Sequence, residues 1–405
     1  MKRIQTLFVV LTVVAILVAG CTPAATPTVA PAQPTSAPVQ PTAAAPQPTT
    51  APAQPTAASV QPTATAAAAQ PTAGAAEPTS GPKAVIMPTD NPNAKYKFGM
   101  VTDQAGLGDQ GFNDMAWAGM LQSAKDFNAN IKVLESGQPA NYVPNFTAFA
   151  DQNYDMIVGV GFLLNDAITQ VAKQYPDKHF VLIDSQSSAP NVASMITRDQ
   201  EGGYLVGAIA GMMTKTNNVG FISGVESDNQ DHFLYGYEAG VKTTNPKATV
   251  QVSWVGSFAD PAKAKTLATA QYNQGVDVIY SVAGLGDTGT FAAAKELNKM
   301  IIGTDLDKNY MAPNNCIASV IKRVDLEVYE EAKAVADGTF KGGPISVGLK
   351  EGTDTLSPTT QKTVPANVYQ IATQLQQLIV AGTVVPPSTA DELAKFVPPK
   401  VNWPQ

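Results

Sequence analysis

An α/β fold of two doubly wound lobes is expected from three observations. Strand-like and helix-like patterns alternate from residue 96 onward. The pattern starts again after a long helical stretch that ends near Met213. Several strand-like runs, such as 156–161, are apolar throughout instead of alternating. Alternation of this kind gives a parallel sheet between two layers of helices. Strands covered on both faces carry continuous apolar runs.

The amino terminus precedes any core. Lys2 and Arg3 lead into an apolar run over 7–18, and Val18-Ala19-Gly20-Cys21 follows. The run is short for a membrane span. Its order of basic, apolar and small residues is that of a secretion signal. The cysteine stands where a bacterial lipobox requires it, so Cys21 is the expected lipidation site and 1–21 the signal. Residues 22–94 are dominated by Pro, Thr, Ala and Gln, with Gln-Pro-Thr recurring from Gln33, Gln40, Gln47, Gln54, Gln61 and Gln70. Proline at every repeat forbids a continuous helix, and few large apolar side chains offset the entropy of ordering. The segment is expected to be a tether, with a relaxed span of about 50 Å.

The folded part is expected over 95–405. Its first unit is a strand at 97–102, a loop with Gly106, Gly108 and Gly111, and a helix with apolar positions at Ala116, Met120, Ala124 and Phe127. Strands follow near 131–135, 156–161, 179–184 and 192–197, with helices near 142–152 and 165–174. The helix at 199–213 is rich in Gly and Ala, which suits close packing against a neighbour. A second set follows: strands at 219–225, 249–255, 276–282 and 300–305, and helices at 231–242, 261–273 and 288–298. Residues 317–321 read as a strand and 323–337 as a helix that Gly338 stops. A returning strand is possible at 344–349, and 368–381 is amphipathic. The first lobe is placed at about 95–200 with a returning segment near 320–340. The second is placed at about 215–318 with the carboxyl-terminal segments. Two such lobes joined by a hinge close on a ligand in the cleft between them.

Composition narrows the function. A net charge of −7 argues against nucleic acid as a partner. Two histidines, no nucleophile elbow and no metal-ligand spacing argue against an enzyme. Cys21 is assigned to lipid, and Cys316 is then alone and reads as a packed small hydrophobe. No metal and no cofactor are expected.

Several segments in order resemble one family. They are VTD at 101–103, GDQGFN at 108–113, IVGVG at 157–161, FVLID at 180–184, QEGGYLVG at 200–207, FLYGYEAG at 233–240, AGLGDTG at 283–289, GTDLD at 303–307 and SVIKRVD at 319–325. Together they resemble the basic membrane protein family of bacterial lipoproteins, the nucleoside-binding subunits of ABC importers. The resemblance implies a type I periplasmic-binding fold and a purine nucleoside as ligand. It implies an ABC permease with its ATPase as partners, and a monomer held by lipid on the extracytoplasmic face of the cell membrane. A sugar or other small polar solute as ligand, or a surface sensor of the same fold, are the alternatives. By motif, Phe112 and Phe233 become the pair that stacks the base. Asp103, Asn113 and Asp184 become polar contacts from the first lobe. Gly284, Asp305 and Lys322 become ribose contacts.

The residue types agree with those roles. Phe112 and Phe233 each fall at a helix start, one per lobe. Asp184 and Asp305 end predicted strands, at the rim where open α/β sheets bind ligands. A carboxylate there can accept two hydrogen bonds from a vicinal diol. Lys322 is expected beside Asp305, and Asp307 is the alternative carboxylate. In the opening loop Asp103 is preferred over Asp109, which is read as a cap or loop-ordering residue. Trp117 is left between core and cleft floor.

Overall fold

The structure is a computed structural model that describes residues 87–400. The signal, Cys21 and the tether as far as residue 86 lie outside the described residues.

The first sheet contains β1 (Tyr96–Val101), β2 (Ala129–Leu134), β3 (Met156–Gly159), β4 (His179–Ile183) and β5 (Val192–Thr197). Helices α1 (Phe112–Phe127), α2 (Tyr142–Asp151) and α3 (Asn165–Gln174) connect its early strands. Helix α4 (Asp199–Met213) leads to the second sheet. That sheet contains β6 (Asn218–Ser223), β7 (Thr249–Trp254), β8 (Val278–Val282), β9 (Met300–Gly303) and β10 (Cys316–Lys322). Its helices are α5 (Asp228–Thr244), α6 (Pro261–Asn273) and α7 (Asp287–Glu296). The chain then returns to the first lobe through α8 (Val324–Asp337) and β11 (Gly343–Val347). It ends in the second with β12 (Asp354–Leu356), α9 (Thr360–Thr363), α10 (Ala366–Val380) and α11 (Ala390–Lys395).

The sheet orders are β11-β5-β4-β3-β1-β2 and β12-β10-β9-β8-β6-β7. All pairings are parallel except β10 with β12. The two halves therefore share a strand order without sharing an obvious sequence repeat. The chain crosses between them three times: after Thr197, after Lys322 and after Val347. The return to the first lobe reaches Val347, because β11 pairs with β5.

Apolar positions explain the layers. Phe98, Met100, Met156 and Val158 point to one face of the first sheet. They meet Met115, Trp117 and Met120 of α1 and Val324 and Val328 of α8. Ile157, Phe180 and Leu182 point to the other face and meet Phe146 and Phe149 of α2. Trp117 is 2% exposed in this core, which settles its place as core. The small residues of α4 do what their size suggests. A Cβ on Gly207 would lie 2.1 Å from the Tyr237 carbonyl oxygen, and one on Gly240 2.1 Å from that of Tyr204. Helices α4 and α5 thus meet backbone to backbone.

The fold begins ahead of β1. The Asn91 amide nitrogen donates to Asn130 Oδ1 at 2.7 Å, and Asn91 Nδ2 donates to Asn128 Oδ1 at 2.9 Å. Asn128 Nδ2 donates back to the Asn93 carbonyl at 3.0 Å. Residues 91–93 are therefore clipped to the start of β2.

Candidate functional site

Parallel strands leave their carboxyl ends, and the loops after them, along one edge of each sheet. In this chain those edges face each other. They enclose a pocket of about 530 Å³, part of it open to solvent. Asp103, Phe112, Asn113, Asp184, Phe233, Gly284, Asp305 and Lys322 all line it.

The opening loop is built around two carboxylates. Asp103 lies two residues beyond β1 and is 6% exposed. Its Oδ1 accepts from the Ala105 amide nitrogen and from Asn113 Nδ2, both at 2.9 Å. Burial raises its pKa, against the pull of those hydrogen bonds. Asp109 is 1% exposed and accepts from the amide nitrogens of Gly111, Asn113 and Asp114 at 3.0, 2.9 and 3.2 Å. It therefore satisfies the open end of α1, the capping role expected of it. It also reaches the pocket wall. Burial pushes its pKa up to about 7. Asn113 Nδ2 donates to both carboxylates, and its buried Oδ1 has no partner among the described residues. That oxygen is an unused acceptor on a pocket-lining side chain.

Phe112 opens α1 and Phe233 lies in the second turn of α5. Phe233 is 3% exposed and belongs to the core of the second lobe as well as to the pocket. Gly161, with φ +106°, follows β3 by two residues; a Cβ there would lie 3.3 Å from Phe112 Cε1.

Asp184 and Asp305 occupy matching places, just beyond β4 and β9, the fourth strand of each lobe. Both have left-handed backbones, with φ of 65° and 72°. A non-glycine residue holds that conformation at a cost, and such residues concentrate at functional sites.

The lysines are arranged differently from the expectation. Lys322 is 1% exposed, and its Nζ donates to both carboxylate oxygens of Asp184 at 2.7 Å and to those of Asp199 at 2.8 and 3.1 Å. Its partners are Asp184 and Asp199, not Asp305. An ammonium has three protons, and four carboxylate oxygens already surround this one. The lysine beside Asp305 is Lys308, with Nζ 3.9 Å from Asp305 Oδ2 and hydrogen-bonded to Asp287. Sequence order could not separate them, because the residue after a strand can turn either way. Burial alone would lower the Lys322 pKa, but Asp184 and Asp199 hold it well above the usual value. Burial raises the Asp305 pKa to about 6, with Lys308 opposing. The Lys322 ammonium also lies 5.5 Å from the centre of the Phe112 ring and 5.2 Å from that of Phe233. It thus marks the point where both aromatic faces and the Asp184 carboxylate converge.

Asp307 points elsewhere. Its Oδ1 accepts from Thr359 Oγ1 at 2.6 Å, tying the loop to the start of α9. Cys316 is buried, and burial pushes its thiol pKa up to about 12, as fits a packed residue. Among the described residues no three His, Cys, Asp or Glu side chains are grouped to hold a metal ion. Among them too, no helix is long and apolar enough to cross a membrane.

Sequence reasoning missed Phe162, Leu163, Gln230 and Phe258 as lining residues. Phe162 and Phe258 sit in loops after β3 and β7, and the rule that sites form beyond strand ends is the signal that could have found them.

Comparisons with known proteins place these features. The sequence model described as Bmp, ABC transporter substrate-binding protein PnrA-like, matches residues 97–389. A protein of Listeria innocua named CD4+ T-cell-stimulating antigen is 36% identical over 324 residues, covering 74% of this chain and 90% of that protein. The ABC transporter nucleoside-binding protein BmpA of Lactococcus lactis is 37% identical over 279 residues, covering 63% of this chain and 80% of that protein. A crystal structure of an ABC transporter solute-binding protein from Aeropyrum pernix superposes with a TM-score of 0.68 at 30% identity, over 74% of this chain and 96% of that one. A glucose-galactose binding protein from Geobacillus stearothermophilus shares the fold, with a TM-score of 0.51 at 16% identity over 65% of this chain and 96% of that one.

Proposed function

The chain belongs to the Bmp, PnrA-like family of ABC transporter substrate-binding proteins, and from that premise we propose that its ligand is a nucleoside, a purine nucleoside first of all. The family is one of binding proteins and not of enzymes, so the protein's task is capture and delivery to an ABC permease. The observation that carries the ligand reading is the convergence of two phenylalanines, one per lobe, with carboxylates from both lobes on one pocket. The name of the Lactococcus BmpA supports the same class.

In this reading Phe112 and Phe233 take the two faces of the base. Stacking is worth roughly 1–3 kcal/mol per base in nucleic-acid binders. Asp103, Asn113 and Asp184 meet donors and acceptors on the base edge, and the free Oδ1 of Asn113 accepts from a ring N–H or amino group. Gly284 and Asp305 meet the ribose hydroxyls. Lys322, already surrounded by carboxylate oxygens, acts by holding Asp184 and Asp199 in place. Each lobe supplies part of the set, so ligand binds the shut form better than the open one, and that difference drives closure. Delivery follows when the permease reopens the lobes. Lipid on Cys21 anchors the chain to the outer face of the cell membrane, and 22–90 is the tether, shorter than expected because 91–93 join the fold.

Calorimetric titration with guanosine, adenosine, inosine, their free bases and pentoses is the test. Phe233→Ala is expected to weaken nucleoside binding at least tenfold. Unchanged affinity in that variant removes the stacking role. A wild-type protein that binds a pentose and no nucleoside overturns the ligand reading.

A further inference from the structure

Two aromatic side chains on the pocket have no role in the reading above. Phe162 comes from the first lobe, in the loop after β3, and Phe258 from the second, in the loop after β7. Both line the pocket and both are half-buried. Neither belongs to a hydrophobic core cluster among the described residues. Their rings meet each other across the cleft, edge to face, with centroids 6.1 Å apart and planes at 79°.

Phe258 sits in a prepared seat. A Cβ on Gly224, just beyond β6, would lie 2.2 Å from Phe258 Cδ1, so the ring rests on bare backbone. A Cβ on Gly284 would lie 3.3 Å from Phe258 Cβ. Any larger residue at position 224 would displace the ring. Phe162 is a partition: its ring borders the pocket on one side and a surface groove beside Asp184 and Asn229 on the other. The neighbouring residue Ser257 is hydrogen-bond partner to Gln104 of the opening loop at 3.4 Å, so this part of the cleft is bridged by polar as well as aromatic contact.

We propose that Phe162 and Phe258 form the outer wall of the pocket, a second aromatic pair that meets only when the lobes shut and sets how long a ligand stays. The contact joins two lobes and exists in one state of the hinge, so it stabilises the shut form selectively. Edge-to-face pairing is a favourable geometry for aromatic rings. The wall is made of carbon and offers no hydrogen bond, so its role is to exclude water and slow escape, and the polar set below it recognises the ligand. These residues are positioning residues for retention.

The proposal rests on the nucleoside reading only in its second arm below. In the first, Ala105→Cys places a thiol on the pocket wall, and its reaction with a methanethiosulfonate reagent is followed at that position by peptide mass spectrometry without any ligand. Adding Phe258→Ala or Phe162→Ala should speed labelling about two- to tenfold, the range an aromatic pair implies. In the second, guanosine dissociation is measured by competition in rapid mixing. Either variant should raise the dissociation rate by the same factor and leave the association rate within twofold. The double variant should add little to either single one, since each removes the same contact. Phe258→Leu, which keeps bulk and loses the ring edge, should fall between. Equal labelling rates in the Ala105→Cys background overturn the wall, whatever the ligand. Guanosine, adenosine and inosine all failing to bind the wild type, with labelling still accelerated, overturns the nucleoside reading and leaves the wall supported.

Discussion

Glu327 is 1% exposed beneath the crossover that follows Lys322, with Oε1 accepting from Thr197 Oγ1 at 2.9 Å and Oε2 without a partner among the described residues. Burial, then the Asp184 charge, raises its pKa to about 8, with Lys322 opposing. A carboxyl whose folded pKa lies above its unfolded value of about 4.3 binds more protons folded than unfolded. Its contribution to stability is fully present below about pH 4 and is lost as the pH rises through 8. Glu327→Gln keeps a neutral group in the same volume. The variant should lose less stability than the wild type between pH 5 and 9, with a higher urea midpoint at pH 9; parallel midpoints would place the charge elsewhere. Residue-scale placement was legible in the sequence wherever a carboxylate ended a strand, as at Asp184 and Asp305. Partnership was not legible: Lys322, expected beside Asp305, meets Asp184 and Asp199, and Lys308, which the sequence did not single out, lies beside Asp305. The backbone of Asp305 is left-handed, and no local sequence signal fixes which lysine then meets its side chain.

Helices α4 and α5 touch through glycines on both sides: Gly203 and Gly207 against Phe233 and Tyr237, Gly236 and Gly240 against Gln200 and Tyr204. The contact holds α5, which carries Phe233, tightly against α4. Gly207→Ala puts a methyl 2.1 Å from the Tyr237 carbonyl oxygen, and neither backbone can yield without moving a helix. Overpacking of that kind costs about 1–3 kcal/mol. A lower thermal midpoint together with weaker ligand binding is expected. An unchanged midpoint would mean that the helices separate freely. Elements of this type were legible because their signals are local. Helix α6 starts with Pro261 after Asp260, whose side chain accepts from the Lys263 amide nitrogen at 2.9 Å, and both signals stand in the sequence. Strand β11 was only a possible strand, and its place at the edge of the first sheet was invisible. Its pairing partner, β5, lies some 150 residues earlier, and nothing in the 343–347 sequence names it. The loops with Phe162 and Phe258 carry no periodicity, so their rings went unread.

The whole molecule has its lobes in contact across the cleft. Tyr310 Oη donates to Gln110 Oε1 at 3.1 Å, and Asn229 Nδ2 donates to the Asp184 carbonyl at 3.2 Å. A Cβ on Gly111 would lie 2.7 Å from Asp305 Oδ2, which leaves no room between α1 and the second lobe. These contacts are those of a shut cleft. Tyr310→Phe removes one of them without touching the pocket. A net hydrogen bond contributes about 0.5–1.5 kcal/mol, so ligand affinity should fall roughly two- to tenfold, and small-angle scattering should show a larger radius of gyration at half-saturating ligand. A radius identical to the wild type at every ligand concentration would show that this bond does not hold the lobes together.

The clip at 91–93 has a mechanical meaning. Asn91 and Asn93 are fastened to Asn128 and Asn130, at the edge of the first sheet and away from all three crossovers. A pull delivered along the leading segment would meet these asparagine hydrogen bonds at that edge before it reached the hinge. Covalently the second lobe is joined to that edge only through the three crossovers, so on opening it moves as a jaw against the first. With the tether proposed above in place ahead of residue 91, tension on it would load the first lobe and add no work to each opening and shutting stroke.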